Sequence, residues 1–316
     1  MISYDLSGGR VLRIATLLLV IMVGGASAVT PINECTTISS PGEYILTRNI
    51  EDFSQGNCIT IASNDVVFDG ANFTIDGVTK NFTYGVYINN PLTTLKHVTV
   101  KNLKVTDWYY GISYEKIQYG SITNSIVNLN GNESLSIIKN NSYFFYSGGI
   151  SLDDSNDIII TDNNIISNNQ SGIHLYHSSN NNILKNNIES NNFSGIMLLD
   201  DSSNNNVENN QISNYAFQGI TVSGSSNNII KNNKVSNNQY GIRLLYSNKN
   251  TIYNNYFNNT NNSIIQNSTD NIWNISRISG INIIGGPYIG GNFWANSSGT
   301  GYSQTCLGEP HSMDKN

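Results

Sequence analysis

Charge is scarce in this chain. Of its 316 residues, 12% are Asp, Glu, Lys or Arg, where about 25% is usual. The net charge is −6 and there is no basic run, so the electrostatic footprint of a nucleic-acid binder is missing. Cysteine is rare: Cys35, Cys58 and Cys306 allow one internal pair and leave one over. Beyond residue 28 no apolar stretch is long enough to cross a bilayer. The segments between turns are built of Asn, β-branched residues and Gly, all weak helix formers, which argues against a helical fold.

What fills the chain instead is repetition. Gly149-Ile150-Ser151-Leu152, Gly172-Ile173-His174-Leu175 and Gly195-Ile196-Met197-Leu198 are followed by Gly219-Ile220-Thr221-Val222 and Gly241-Ile242-Arg243-Leu244. The steps are 23, 23, 24 and 22 residues. Earlier copies stand at Gly85-Val86-Tyr87-Ile88 and Gly111-Ile112-Ser113-Tyr114. Each period also carries a phrase such as Asn180-Asn181-Asn182-Ile183-Leu184-Lys185-Asn186-Asn187-Ile188. Apolar residues alternate in three short bursts per period, separated by turn residues, which is a strand pattern. Self-similarity at this period signals stacked units rather than a globular core. The fold class predicted is all-β: a single-stranded right-handed parallel β-helix with about 22–24 residues per coil and a rise of about 4.8 Å. Asn supplies 26 of the 100 residues from Ser151 to Asn250. Stacked coil on coil, it can form side-chain amide ladders, and it tolerates the left-handed corners. The aliphatics keep phase with the asparagines, which excludes low-complexity disorder.

Residues 1–28 read as a secretory signal. Arg10 and Arg13 precede the apolar run Ile14–Val23, and Ala26-Ser27-Ala28 is a cleavage-type sequence. Residues 29–83 are expected to form N-terminal capping coils, 84–284 the regular repeats, and 285–316 a C-terminal cap motif. Gly111 and Gly149 lie 38 residues apart, one coil plus an insertion near 130–146. Such an insertion either carries function or covers an apolar seam. Cys35 and Cys58 are one coil apart, so a disulfide between adjacent rungs is expected, as in an oxidising compartment. Eleven Asn-x-Ser/Thr sequons agree with export, although an Asn-rich chain makes them by chance. The localisation expected is secreted, periplasmic or cell-surface.

The Asn-Asn-x-Ile-x-x-Asn-Asn and Gly-Ile-x-Leu coils resemble the NosD-type right-handed β-helix family, named after a copper-associated protein. Cys35-Thr36-Thr37-Ile38-Ser39-Ser40-Pro41-Gly42 and Val66-Val67-Phe68-Asp69-Gly70 resemble its archaeal surface members. So does Gly290-Gly291-Asn292-Phe293-Trp294-Ala295 with Gly299-Thr300-Gly301-Tyr302-Ser303-Gln304-Thr305-Cys306. The resemblance implies a secreted or periplasmic scaffold with copper as a possible ligand. It is specific for fold and weak for activity. Members of this group usually continue to a second cysteine, whereas Leu307-Gly308-Glu309-Pro310-His311 follows here. That leaves open whether the cap is complete and what Cys306 pairs with.

Aligned on the serine after each repeat, Asp154, His177 and Asp201 stand on neighbouring rungs, with Asp153, Tyr176 and Asp200 one step earlier. Ser151, His174, Met197, Thr221 and Arg243 occupy the outward position within the strand. One expectation is copper on His174, His177, Met197 and Asp200, a nitrogen/sulfur/oxygen set. The rival is a polysaccharide hydrolase or lyase. Asp154 and Asp201, two rungs apart, would sit about 9–10 Å from each other, near the upper end for an inverting pair. His177 between them would tune their protonation. Against hydrolysis, no clustered motif of the polygalacturonase kind is present; against a lyase, arginine is scarce. The bland alternative is a row of ordinary polar turn residues. Tyr84, Tyr110 and Tyr240, with Phe193 and Phe217, either stack on sugar rings or on one another. The leading expectation is a non-enzymatic surface scaffold binding copper or a cell-surface glycan, with no assignable protein partner.

Overall fold

The computed structural model describes residues 28–131, 147–214 and 217–305. The expected signal segment, Cys306 and all of the insertion except residues 130–131 lie outside the described residues. Within them the chain winds as a right-handed parallel β-solenoid. Three parallel sheets run along its length, of ten, nine and ten strands. Each coil contributes one long strand, such as Ser171–Tyr176, and two short ones, such as Asn182–Leu184 and Asn187–Glu189.

Register is strict because like residues must stack. Ile150 lies against Ile173, Ile173 against Ile196, and Ile196 against Ile220. These residues, and the columns headed by Ile160 and Ile165, are buried. A one-residue slip would turn a whole column outward, so the aliphatic pattern fixes the phase. The expected Asn ladder is present. The backbone N–H of Asn163 donates to Asn186 Oδ1 at 3.0 Å, and its side-chain amide donates to the same oxygen at 3.0 Å. Asn186, Asn210, Asn233 and Asn255 repeat this pattern, and the ladder ends on Asn292. A second ladder runs Asn181, Asn205, Asn228, Asn250, Asn271. These amides satisfy buried turn N–H groups that no strand can reach.

The repeat glycine follows from the same crowding. A Cβ on Gly172 would come within 2.6 Å of Ile188 Cγ2 and 2.8 Å of the Gly195 carbonyl oxygen. At the N-terminal end, Cys35 and Cys58 are disulfide-bonded across the first rungs, with Cα atoms 4.3 Å apart. At the C-terminal end the long-strand sheet stops at Asn261–Gln266. Ile278–Ser279 then pairs antiparallel with Tyr288–Ile289, and Phe293–Ala295 rejoins the nine-stranded sheet. Trp294 stacks on Phe257 at 4.8 Å.

Candidate functional site

The long strands and the turns that follow them carry the ligand and acid candidates singled out from sequence. After each long strand the chain turns through a left-handed residue. Asp154 (φ 46°) and His177 (φ 47°) hold this position in two consecutive coils. His177 Nδ1 lies 3.8 Å from Asp154 Oδ1, and both side chains are exposed. The expected Asp154–His177 neighbourhood therefore forms.

The alignment fails at the next rung. The turn serines stack in line, Ser155 on Ser178 on Ser202. The strands, however, pair Asp153 with Tyr176 and Tyr176 with Leu199, not with Asp200. The 24-residue coil holds its surplus residue in this turn. Asp200 (φ 41°) and Asp201 (φ 61°) are both left-handed where the other coils need one such residue. The backbone N–H of His177 accordingly donates to the Asp200 carbonyl. Asp201 is thus pushed one residue beyond the strand position that Asp154 and His177 occupy.

The nitrogen and sulfur donors are also divided. His174 and Met197 are register partners on adjacent rungs. Although alternation points them away from the aliphatic core, His174 is 8% exposed and Met197 3%. His174 Nδ1 lies 3.4 Å from Ser151 Oγ, and Ser171 Oγ donates to Met197 Sδ at 2.8 Å. Burial pulls the His174 imidazole down to about 4, so it stays neutral. His177 and Asp200 belong to the exposed turn, roughly 10 Å of chain further along. The four expected ligands do not converge on one point. Among the described residues no three His, Cys, Asp or Glu side chains are grouped to hold a metal ion. A closed copper site on this set does not fit.

A different constellation lies one column inward from the turn. Glu115 and Asp153 are register partners on adjacent long strands, with Tyr176 next in line. The inward neighbours Tyr114 and Leu152 are buried, so the two carboxyl groups share the outward face. Tyr87 Oη donates to Glu115 Oε2, and Asn89 Nδ2 donates to the same oxygen at 3.2 Å. Desolvation raises the Tyr87 phenol, and the hydrogen bond to Glu115 raises it further. Burial, then the charges of Asp154 and Glu115, push Asp153 up to about 6, against the opposing pull of His177 and Lys116.

Aromatic rings lead away from this pair, part-exposed at Tyr87, Tyr84 and Tyr110 and fully buried at Tyr109. Tyr87 stacks on Tyr84 at 4.3 Å, Tyr84 on Tyr110 at 4.8 Å, and Tyr110 meets Tyr109 edge-on at 4.9 Å. Phe82, 55% exposed, packs on Tyr109 at 5.3 Å. Burial pushes the Tyr84 phenol up to about 12 and Tyr110 higher still. Elsewhere Phe193 packs on Phe217 at 5.6 Å, while Tyr240 lies between Gln218 and Asn261. The 38 residues between Glu115 and Asp153 hide their pairing from a repeat of 22–24. The signal was present, since each stands four residues after its repeat glycine.

The profile of the NosD family, described as periplasmic copper-binding protein (NosD), matches residues 29–215 and 132–299. No curated protein sequence matches the chain. Among solved structures it is similar to the A-module of the Azotobacter vinelandii mannuronan C-5 epimerase AlgE4 (TM-score 0.55, 16% identity, 75% of this chain and 72% of that one). A double mutant of the periplasmic alginate epimerase AlgG gives TM-score 0.54 at 18% identity, covering 72% of this chain and 64% of that one. The Dettilon tailspike protein gp208 gives 0.51 at 16% identity, covering 73% and 55%. At these identities the likeness is one of fold.

Proposed function

The chain belongs to the NosD family, and from that premise we propose that it is an exported β-helix scaffold that binds a glycan strand along its long-strand sheet. The observation that carries this reading is the row of part-exposed, stacked tyrosines Tyr110, Tyr84 and Tyr87 beside Glu115 and Asp153. Ring faces offer an apolar platform to the C–H face of a sugar, and carboxylates accept hydrogen bonds from its hydroxyls. Fold likeness to two alginate epimerases is consistent with a glycan-facing surface. Export is supported by the signal-like start and the Cys35–Cys58 disulfide. No helix among the described residues is long and apolar enough to cross a membrane.

Affinity electrophoresis in gels containing soluble polysaccharides tests the reading. Retardation by at least one polymer is expected. Tyr84→Ala/Tyr110→Ala should weaken it about tenfold or more, the value of two ring contacts. Retardation unchanged in the double variant, with its circular dichroism intact, would remove the tyrosine band from the site. The family's copper is given no role here, because the donors that sequence suggested are split between a buried strand position and an exposed turn.

A further inference from the structure

We infer that Glu115 and Asp153 form a retaining acid–base pair that hydrolyses glycosidic bonds in a neutral or amino-sugar polysaccharide, an inference that rests on the glycan-binding reading. The geometry comes first. The two residues are register partners on adjacent parallel strands and project to the same side. Strand spacing puts them about 4.8 Å apart at the backbone. Retaining glycosidases hold their two carboxyl groups about 5–5.5 Å apart. Asp154 and Asp201 stand two rungs apart and out of strand alignment, so they do not share this spacing.

The surroundings divide the roles. The Glu115 carboxylate accepts hydrogen bonds from Tyr87 Oη and Asn89 Nδ2, which fix its orientation as a nucleophile. Asp153 is half-buried and faces the like charges of Glu115 and Asp154, so it holds its proton further toward neutrality than an ordinary aspartate. A carboxyl group that keeps its proton in this way is the usual general acid. A sugar chain on the tyrosine band would run toward the pair.

The steps balance with water as the one co-reactant. Asp153 gives its proton to the glycosidic oxygen as the C1–O bond breaks, and the leaving sugar departs as an alcohol. A Glu115 oxygen supplies the electron pair that forms the new bond to C1. Water then attacks C1, the ionised Asp153 takes its proton, and the C1–Glu115 bond breaks. Both side chains are restored and one new reducing end appears.

The substrate class follows from charge. Glu115 and Asp154 flank the protonated Asp153, with Lys116 as the nearby lysine. A uronate polymer would bring further carboxylates against this acidic face. A neutral glycan meets no such repulsion, and an amino-sugar polymer is attracted.

The test uses the full chain with mannan, soluble cello-oligosaccharides, chitosan and alginate. Gel retention and reducing-end release are measured side by side. Release is expected from a neutral or amino polymer and not from alginate. Glu115→Gln and Asp153→Asn should each lower it at least a thousandfold, far more than they weaken retention, and proton NMR should show retained anomeric configuration. Glu115→Ala with added azide should give a glycosyl azide, a signature that a merely structural role would not produce. Retention without release overturns the hydrolysis and leaves the binding reading standing. Absence of retention on all four polymers overturns both. Cleavage of alginate overturns the substrate class, and an inverted product overturns the retaining geometry.

Discussion

Asp153 ties protonation to folding more tightly than its neighbours do. Its folded-state value, about 6, lies above the unfolded value of 3.8. Its contribution to stability is therefore full at low pH and is lost as the pH rises through about 6. The gap between these two values corresponds to about 3 kcal/mol, which solvent screening at a half-exposed site reduces to about 1 kcal/mol. Asp153→Asn should thus be more stable than the parent by about 1 kcal/mol at pH 8 and nearly equal to it at pH 4. Urea unfolding at the two pH values checks this, and an equal difference at both would remove the burial argument. Glu115, its partner, was legible only in part. The four-residue offset from the repeat glycine is visible in sequence, but the intervening insertion hides that Glu115 and Asp153 are one rung apart. His174 shows the converse. Alternation correctly directs it away from the core, yet direction alone does not reveal that it is buried.

At the scale of the coil, the repeat glycine and the ladder asparagine are one device. The glycine leaves room for the next rung's carbonyl, and the asparagine ties the corner beside it. Gly172→Ala should cost about 1–3 kcal/mol through overpacking, read from the urea midpoint. Gly290→Ala is the control, since its added Cβ would meet nothing closer than 4.0 Å. Equal effects at the two sites would refute the crowding account. Stacking made these positions readable, because a residue that must match its copies above and below leaves a period in the sequence. The 24-residue coil was readable only as a length. Its surplus could have lain in any of three turns, and the serine and strand alignments part company only at Leu199–Ser202.

For the whole molecule, stability is close to a sum over neighbouring coils. The Cys35–Cys58 bond closes a loop of one coil, worth about 3 kcal/mol in the chain-entropy account. Its loss should act locally. Reduction should speed amide exchange in Thr36–Ile38 and Ile59–Ile61, and leave the strands from Asn182 to Tyr253 unchanged. Uniform acceleration along the chain would show a single cooperative unit instead. The solenoid as a class was legible throughout the repeats, since periodicity alone dictates it. The C-terminal hairpin was not, because Ile278–Ser279 and Tyr288–Ile289 have no counterpart elsewhere among the described residues.

Because each ladder asparagine addresses its equivalent about 23 residues on, the molecule has a natural quantum of length. Excising residues 160–182 would remove one full turn and bring matching columns back into line. Excising one residue fewer would leave one coil with a surplus to absorb in a turn, as at Asp200–Asp201. Loss or gain of a whole coil therefore changes the length of the cylinder in steps of about 4.8 Å, while odd residues are taken up in turns and loops.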